Sequence, residues 1–359
     1  MSFDRRSAVN GEREGVDEPM YKKILVPMDG SATSEGVAGW VTTLARRISA
    51  ETVLLSVVDP DRIQMPGRAS VVARETHSRV HAATGAGPRR QGTAWPLEVA
   101  PESGPPQMAP ASGTQLVEAA VAAADSHLAR QNRRLAASDV KIATKVVVGS
   151  PAQCIVEQAK EIGADLIAMA THRESPVARG VLGSVTDRVL HSTDLPVLAV
   201  HPKGQAATGS EAAAPKVVLV PLDGSGRSAA VVPIAIDLAA ALGARIEFLS
   251  IVWRYYGAGW PDADWLTAEQ IGPESRQEVF RYLDTFVHEA AGRGLTAHAR
   301  AMFGNPAGRI IEESDAVEGA LIVMSTRGAT GFTRWALGSV TDKVIRSSGQ
   351  PVLVVPPPA

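Results

Sequence analysis

The chain spells the same short phrase twice, and this repetition constrains the fold more than any other feature. Lys22-Lys-Ile-Leu-Val-Pro-Met-Asp-Gly-Ser31 returns as Lys216-Val-Val-Leu-Val-Pro-Leu-Asp-Gly-Ser225, with Asp223 following Asp29 by 194 positions. Leu54-Leu-Ser-Val-Val58 returns as Phe248-Leu-Ser-Ile-Val252 at the same offset. From Gly149-Ser-Pro-Ala152, echoed by Gly304-Asn-Pro-Ala307, the offset is 155. It stays there through Gly338-Ser339 and Pro351. The difference of 194 − 155 = 39 residues places the whole excess length of the first copy between its second and third β-rich runs. A duplicated domain with an insertion in one copy is the economical reading.

Each copy alternates short apolar runs with helical patterns. Ile24 to Val26 is ended by Pro27 and the turn formers Asp29 and Gly30. Ser31 then caps a helix with Val37, Trp40, Val41, Leu44 and Ile48 on one face. Further strands are predicted over 52–58, 141–148, 165–170 and 196–200. Helices are predicted around Thr114 to Ala137, from Ser150 (N-cap) and Pro151 to about Ile162, and through Val185 and Val189. The pattern β-α-β-α-β-α-β-α-β with continuous apolar strands predicts an α/β fold. Each copy is then a five-stranded parallel sheet with helices on both faces.

The segments outside the repeat are polar. Residues 1–20 are charged and read as a mobile arm. The first domain is expected over 21–201, with a Pro/Gly-rich insertion at about 59–113 whose proline density forbids a long helix. Residues 202–215 read as a linker, and 216–356 as the second domain.

At 359 residues the chain suffices for two domains. A formal net charge of −2 weighs against nucleic acid as the main partner. No apolar run reaches the ~18–20 residues that span a bilayer, so no membrane association is expected. The first 19 residues lack the apolar core of a secretory signal, and the single cysteine, Cys154, suits a reducing compartment. A cytoplasmic location is the expectation.

The candidate site is the stretch Gly328 to Thr341, with its glycines between an apolar strand and a helix. Such a loop turns backbone N–H groups toward an anion, helped by the positive end of the helix dipole. In an open parallel sheet, ligands sit beyond the carboxyl ends of the strands, where the strand order reverses. The first turns, at Asp29 and Asp223, end strands there too and can converge on the same ligand. No Lys follows the glycines, so this is no P-loop, and the first β-α turn has no G-x-G-x-x-G.

The pair "Val-Pro-x-Asp-Gly-Ser after the first strand" and "Gly-x9-Gly-Ser-Val-Thr after the fourth", closing on Pro-Val-Leu-Val-Val, resembles the universal stress protein family. The resemblance covers nearly all of both copies. It implies the adenine-nucleotide alpha hydrolase-like fold and an adenine nucleotide, ATP, as ligand, with Mg²⁺ at most accompanying the phosphates. It also implies domains paired through the last strand, here within one chain, with a homodimer as a further arrangement. Carried onto the second copy, it assigns Pro221 and Asp223 to adenine and ribose, and Ile251, Met324 and Val340 to the wall of the base. Gly328, Gly338 and Ser339 fall to the phosphates, with Ser325 in place of the first signature glycine.

The first copy keeps Pro27, Asp29, Val57, Met169, Gly183, Ser184 and Val185, but has Ala170 and Arg173 at the two leading glycines. Glu174 adds negative charge there, and Pro176 removes an N–H donor. The resemblance therefore implies an ATP-binding stress-response regulator, with nucleotide held chiefly by the second copy and the first site degraded. No residue reads as a general base, so no catalytic residue is assigned and slow hydrolysis is the most expected. Two alternatives stay open: a nucleotide-free interaction scaffold of the same fold, and a weak ATP-cleaving enzyme. The downstream partner is not legible.

The remaining candidates are weaker. The eight histidines show no metal-ligand spacing, and no metal site is assigned. His172 adjoins the first loop, and Arg179 and Arg334 lie inside the two loops, either reaching phosphates or solvated. Cys154 stands near a helix N-terminus, where a lowered pKa is open, but a half-buried structural thiol is the preferred reading. Tyr255, Tyr256, Trp260 and Trp265 are expected to cover a sheet edge or an interface.

Overall fold

A computed structural model describes residues 21–63, 113–136, 139–171, 182–201, 214–252, 273–326 and 337–356. The N-terminal arm, most of the insertion and most of the linker lie outside the described residues.

The first half runs β1 (Lys23–Pro27), α1 (Ala32–Ile48), β2 (Glu51–Val58), a short 3-10 turn (Pro60–Arg62), α2 (Gly113–Leu135), β3 (Ile142–Val148), α3 (Pro151–Glu161), β4 (Leu166–Ala170), α4 (Ser184–Ser192) and β5 (Val197–Val200). The second runs β6 (Val217–Leu222), α5 (Gly226–Ala229), α6 (Val232–Leu242), β7 (Arg245–Val252), α7 (Pro273–Gly292), β8 (Ala297–Phe303), α8 (Pro306–Ala316), β9 (Ala320–Ser325), α9 (Ser339–Ser347) and β10 (Val352–Val355). The sheet order is β3-β2-β1-β4-β5-β10-β9-β6-β7-β8. Every neighbouring pair is parallel except β5 with β10, which lie antiparallel with Leu353 opposite Leu198.

The strands are apolar on both faces because both faces are covered. Alternate residues of a strand point to opposite sides. Thus Ile24 and Val26 join one apolar cluster with Val37, Val41 and Leu128, while Leu25 joins the other with Ile155, Ile167 and Val189. Each cluster runs through both halves of the chain. Across the β5–β10 joint, Arg346 on α9 reaches Asp187 on α4 at 2.9 Å while also holding Asp342 at 2.7 Å. At the 155 offset its counterpart on α4 is His191.

Local chemistry sets the helix ends. The Ser31 hydroxyl accepts the Ser34 N–H at 3.2 Å, as a capping serine should. Ser150 stands at the N-cap of α3, but its hydroxyl takes no helix N–H. The equivalent Asn305 does, accepting from Gly308 at 3.1 Å. The single α1 of the first half is matched by two pieces in the second. Pro233, in the first turn of α6, has no N–H to continue a helix begun at Gly226.

Tyr21, just before β1, is buried, and among the described residues its hydroxyl has no hydrogen-bond partner. Burial first, and then the nearby Asp165 carboxylate, push its pKa far above the usual tyrosine value of 10.0. The unfolded chain therefore releases this proton at about pH 10 while the folded chain holds it, so stability is lost as pH rises past 10. Tyr21→Phe is expected to flatten this alkaline decline in urea melts between pH 8 and 11. An unchanged slope would assign the decline to other groups.

Candidate functional site

In the first half the strand order reverses between β1 and β4, each neighbouring the other but continuing to opposite sides. Beyond their carboxyl ends lies a cavity of about 360 Å³, within the size range of small-molecule sites. All seven first-copy candidates line it: Pro27 at the end of β1 and Asp29 just after it, Val57 on β2, Met169 on β4, and Gly183, Ser184 and Val185 at the start of α4.

Two local devices shape the cavity. The first is the turn after β1. Gly30 takes a left-handed φ of +80°, which a side chain would resist, and this lets the chain fold back. The Asp29 carboxylate then accepts the Ser31 N–H at 3.0 Å and the Ser31 hydroxyl at 2.6 Å. The Ser34 hydroxyl donates to the Ser31 carbonyl at 2.9 Å. The second device pins the N-terminus of α4 to the end of β4. Gly183 N–H donates to the Thr171 carbonyl at 2.9 Å, and Thr186 Oγ1 donates to the Ala170 carbonyl at 2.8 Å. The first-turn N–H groups of α4, which have no acceptor inside the helix, thus border the cavity.

The second half repeats both devices. Gly224 has φ +81°, and Asp223 accepts the Ser225 N–H at 3.0 Å and its hydroxyl at 2.6 Å. Gly338 N–H donates to the Thr326 carbonyl at 2.8 Å, and Thr341 Oγ1 donates to the Ser325 carbonyl at 3.0 Å. Pro221 and Ile251 lie near the ends of β6 and β7, Met324 and Ser325 end β9, and Ser339 and Val340 open α9. Ile251, Met324 and Val340 belong to the same apolar cluster as Val57, Met169 and Val185. Gly328, His172, Arg173, Glu174, Pro176, Arg179 and Arg334 lie outside the described residues, as do Tyr255, Tyr256, Trp260 and Trp265.

The structure adds residues that the sequence reading passed over. Ser34 and Thr186 line the first cavity, and their counterparts Ser228 and Thr341 make the same bonds. Their recurrence at fixed offsets was the available signal. Asp59 and Arg62 also line the cavity, 3.3 Å apart. They open the insertion, where the two copies part in sequence and no recurrence marks them. In the second half, Tyr282 packs edge-on against Phe286, with ring centres 5.1 Å apart, and its hydroxyl is buried. Burial raises its pKa, the Ser228 hydroxyl works the other way, and the Asp223 carboxylate raises it further.

Cys154, on α3 beside the cavity, is half-buried. Burial pushes its thiol up, the carboxylates of Glu157 and Asp59 add to this, and together they outweigh the lowering by a backbone hydrogen bond. Among the described residues no group of three or more His, Cys, Asp or Glu is placed to hold a metal ion. No described helix is long and apolar enough to cross a membrane.

One sheet built of two parallel five-stranded halves, each with a turn and a helix N-terminus beyond its switch point, defines a duplicated α/β protein. The model of the universal stress protein family matches residues 20–201 and 215–356, and the chain belongs to that family as a tandem two-domain member. A universal stress protein of Methanocaldococcus jannaschii is 32% identical over 144 residues, covering 40% of this chain and 83% of that protein. One from Mycolicibacterium smegmatis is 30% identical over 223 residues, covering 60% of this chain and 69% of its own. The crystal structure of a universal stress protein from Archaeoglobus fulgidus shares the fold. Its TM-score is 0.62, with 17% identity, covering 93% of this chain and 98% of that one.

Proposed function

We propose that the chain is an adenine-nucleotide-binding regulator of the stress response, working in the cytoplasm, with ATP as the ligand. The observation that carries this reading is the cavity at the first switch point. Its lining contains all seven residues that the first copy keeps from the family's ligand contacts. Apolar Val57, Met169 and Val185 suit the faces of a base. The Asp29 turn suits ribose hydroxyls, and the first turn of α4 suits phosphate oxygens.

The second half keeps the glycines Gly328 and Gly338 of the phosphate loop, whereas the first has Arg173 and Glu174 in its loop. The triphosphate is therefore assigned chiefly to the second half. The acids of the two turns are already engaged by their capping serines, so Mg²⁺ would come with the phosphates rather than to a protein-built site. No general base is named, and turnover of ATP is expected to be slow.

The test is mass spectrometry of the ligand that co-purifies with the full chain, followed by calorimetric titration with ATP. An adenine nucleotide, bound at nearer one than two equivalents per chain, is the expected result. A protein that carries no nucleotide and takes up none would leave the fold as a pairing scaffold alone.

A further inference from the structure

Most of the residues that line the first cavity recur in the second copy, but not those after β2. Around the first cavity, Pro27, Asp29, Ser31, Ser34 and Leu55 correspond to Pro221, Asp223, Ser225, Ser228 and Leu249. The floor from α3 to α4 is equally matched: Pro151, Ile155, Met169, Thr171 and the run Gly183 to Thr186 recur unchanged at the 155 offset. The departures gather on the side formed by the chain leaving β2. There the first copy has Asp59 and Arg62, while the sequence has Trp253 and Tyr256 at the 194 offset.

Asp59 continues the extended backbone of β2, with φ −89° and ψ 106°. Alternation along the strand therefore puts it on the same side as Val57, two residues back. One carboxylate oxygen accepts the Asp61 N–H at 3.1 Å, and the other lies 3.3 Å from Arg62 Nε. Each oxygen retains a further lone pair. The Asp59 side chain is 18% exposed and that of Arg62 is 53% exposed, so the carboxylate is partly desolvated and the guanidinium braces it from the solvent side.

From this arrangement we infer that Asp59 is the base-reading residue of the first pocket, selecting a 6-amino purine, with Arg62 as the residue that positions it. This deepens the nucleotide reading above and rests on it. A base lying against Val57 turns an edge toward Asp59. An exocyclic amino group donates to the carboxylate, while a 6-oxo group would set oxygen against oxygen. The wrong base thus loses a charge-assisted hydrogen bond and meets repulsion in its place.

The test uses the full chain carrying Asp223→Ala, which weakens the second half, and reads the first pocket as the binding that a further Asp29→Ala removes. The probes are AMP and IMP, which differ at the 6-position, titrated by calorimetry. The parent chain is expected to bind AMP at least about tenfold tighter than IMP, the size of one charge-assisted hydrogen bond. Asp59→Asn, whose amide can donate to an oxo group, should bring the ratio within about threefold or invert it. Arg62→Ala should give an intermediate ratio, and Arg62→Lys should restore most of it. Melting temperatures should stay close to the parent, since the pair is partly exposed. An AMP/IMP ratio unchanged by Asp59→Asn overturns the inference. So does a first pocket that takes neither probe while the native chain binds a nucleotide elsewhere. A native chain that binds no nucleotide at all overturns instead the reading on which it rests.

Discussion

Leu353→Asp is expected to destabilise the protein by on the order of 3–5 kcal/mol and to uncouple its halves. Leu353 sits on β10 opposite Leu198 of β5, and both are almost wholly buried in the cluster that runs through both halves. An aspartate there places a carboxylate in apolar surroundings with no partner, among the most costly of single changes. Its pKa would be driven up, so the penalty should shrink as pH falls toward 4 and the acid becomes neutral. Denaturant melts followed by a core probe from each half would check this. A single transition with an unchanged midpoint would show that the antiparallel joint contributes little to the whole.

The second large effect concerns the paired turns. Asp223→Ala is expected to weaken ATP binding roughly 10- to 100-fold, the loss expected for hydrogen bonds from ribose to a charged acceptor. Asp29→Ala should remove the remaining weak binding with little change in the main phase. Both variants lose the bonds that hold the capping serines, so each should also cost about 1 kcal/mol of stability. Ser31→Ala and Ser225→Ala separate the two contributions, because they lose the cap and keep the carboxylate. Equal loss of ATP affinity in the serine and aspartate variants would make the turns structural rather than ligand-binding.

Much of this architecture was written in the chain at single-residue resolution. The apolar runs Ile24 to Val26, Leu166 to Ala170 and Ala320 to Met324 declared buried strands, because a parallel sheet hides both faces and needs no polar alternation. The duplication then located the turns that meet at the cavity. What escaped has physical reasons. The break between α5 and α6 depends on Pro233, which reads equally as a first-turn residue of one helix or a fault in a longer one. Ser34 and Thr186 are common residue types, and only the folded turn reveals which carbonyls their hydroxyls reach. Ser150 had the right residue type for a cap, but its hydroxyl accepts no bond from the helix. Asp59 and Arg62 acquire meaning only once β2 carries them to the rim of the cavity.

The clamp of Arg346 on Asp187 has a consequence for how such a chain can diverge. In a symmetric pair of separate subunits, any change at this seam appears on both sides at once. Here the arginine stands on one side and His191 on the other, so the two sides are free to differ. Covalent fusion has converted a self-complementary seam into one with a left and a right. Two halves of unequal sequence are thereby delivered in fixed one-to-one proportion, without a cell having to match the synthesis of two gene products.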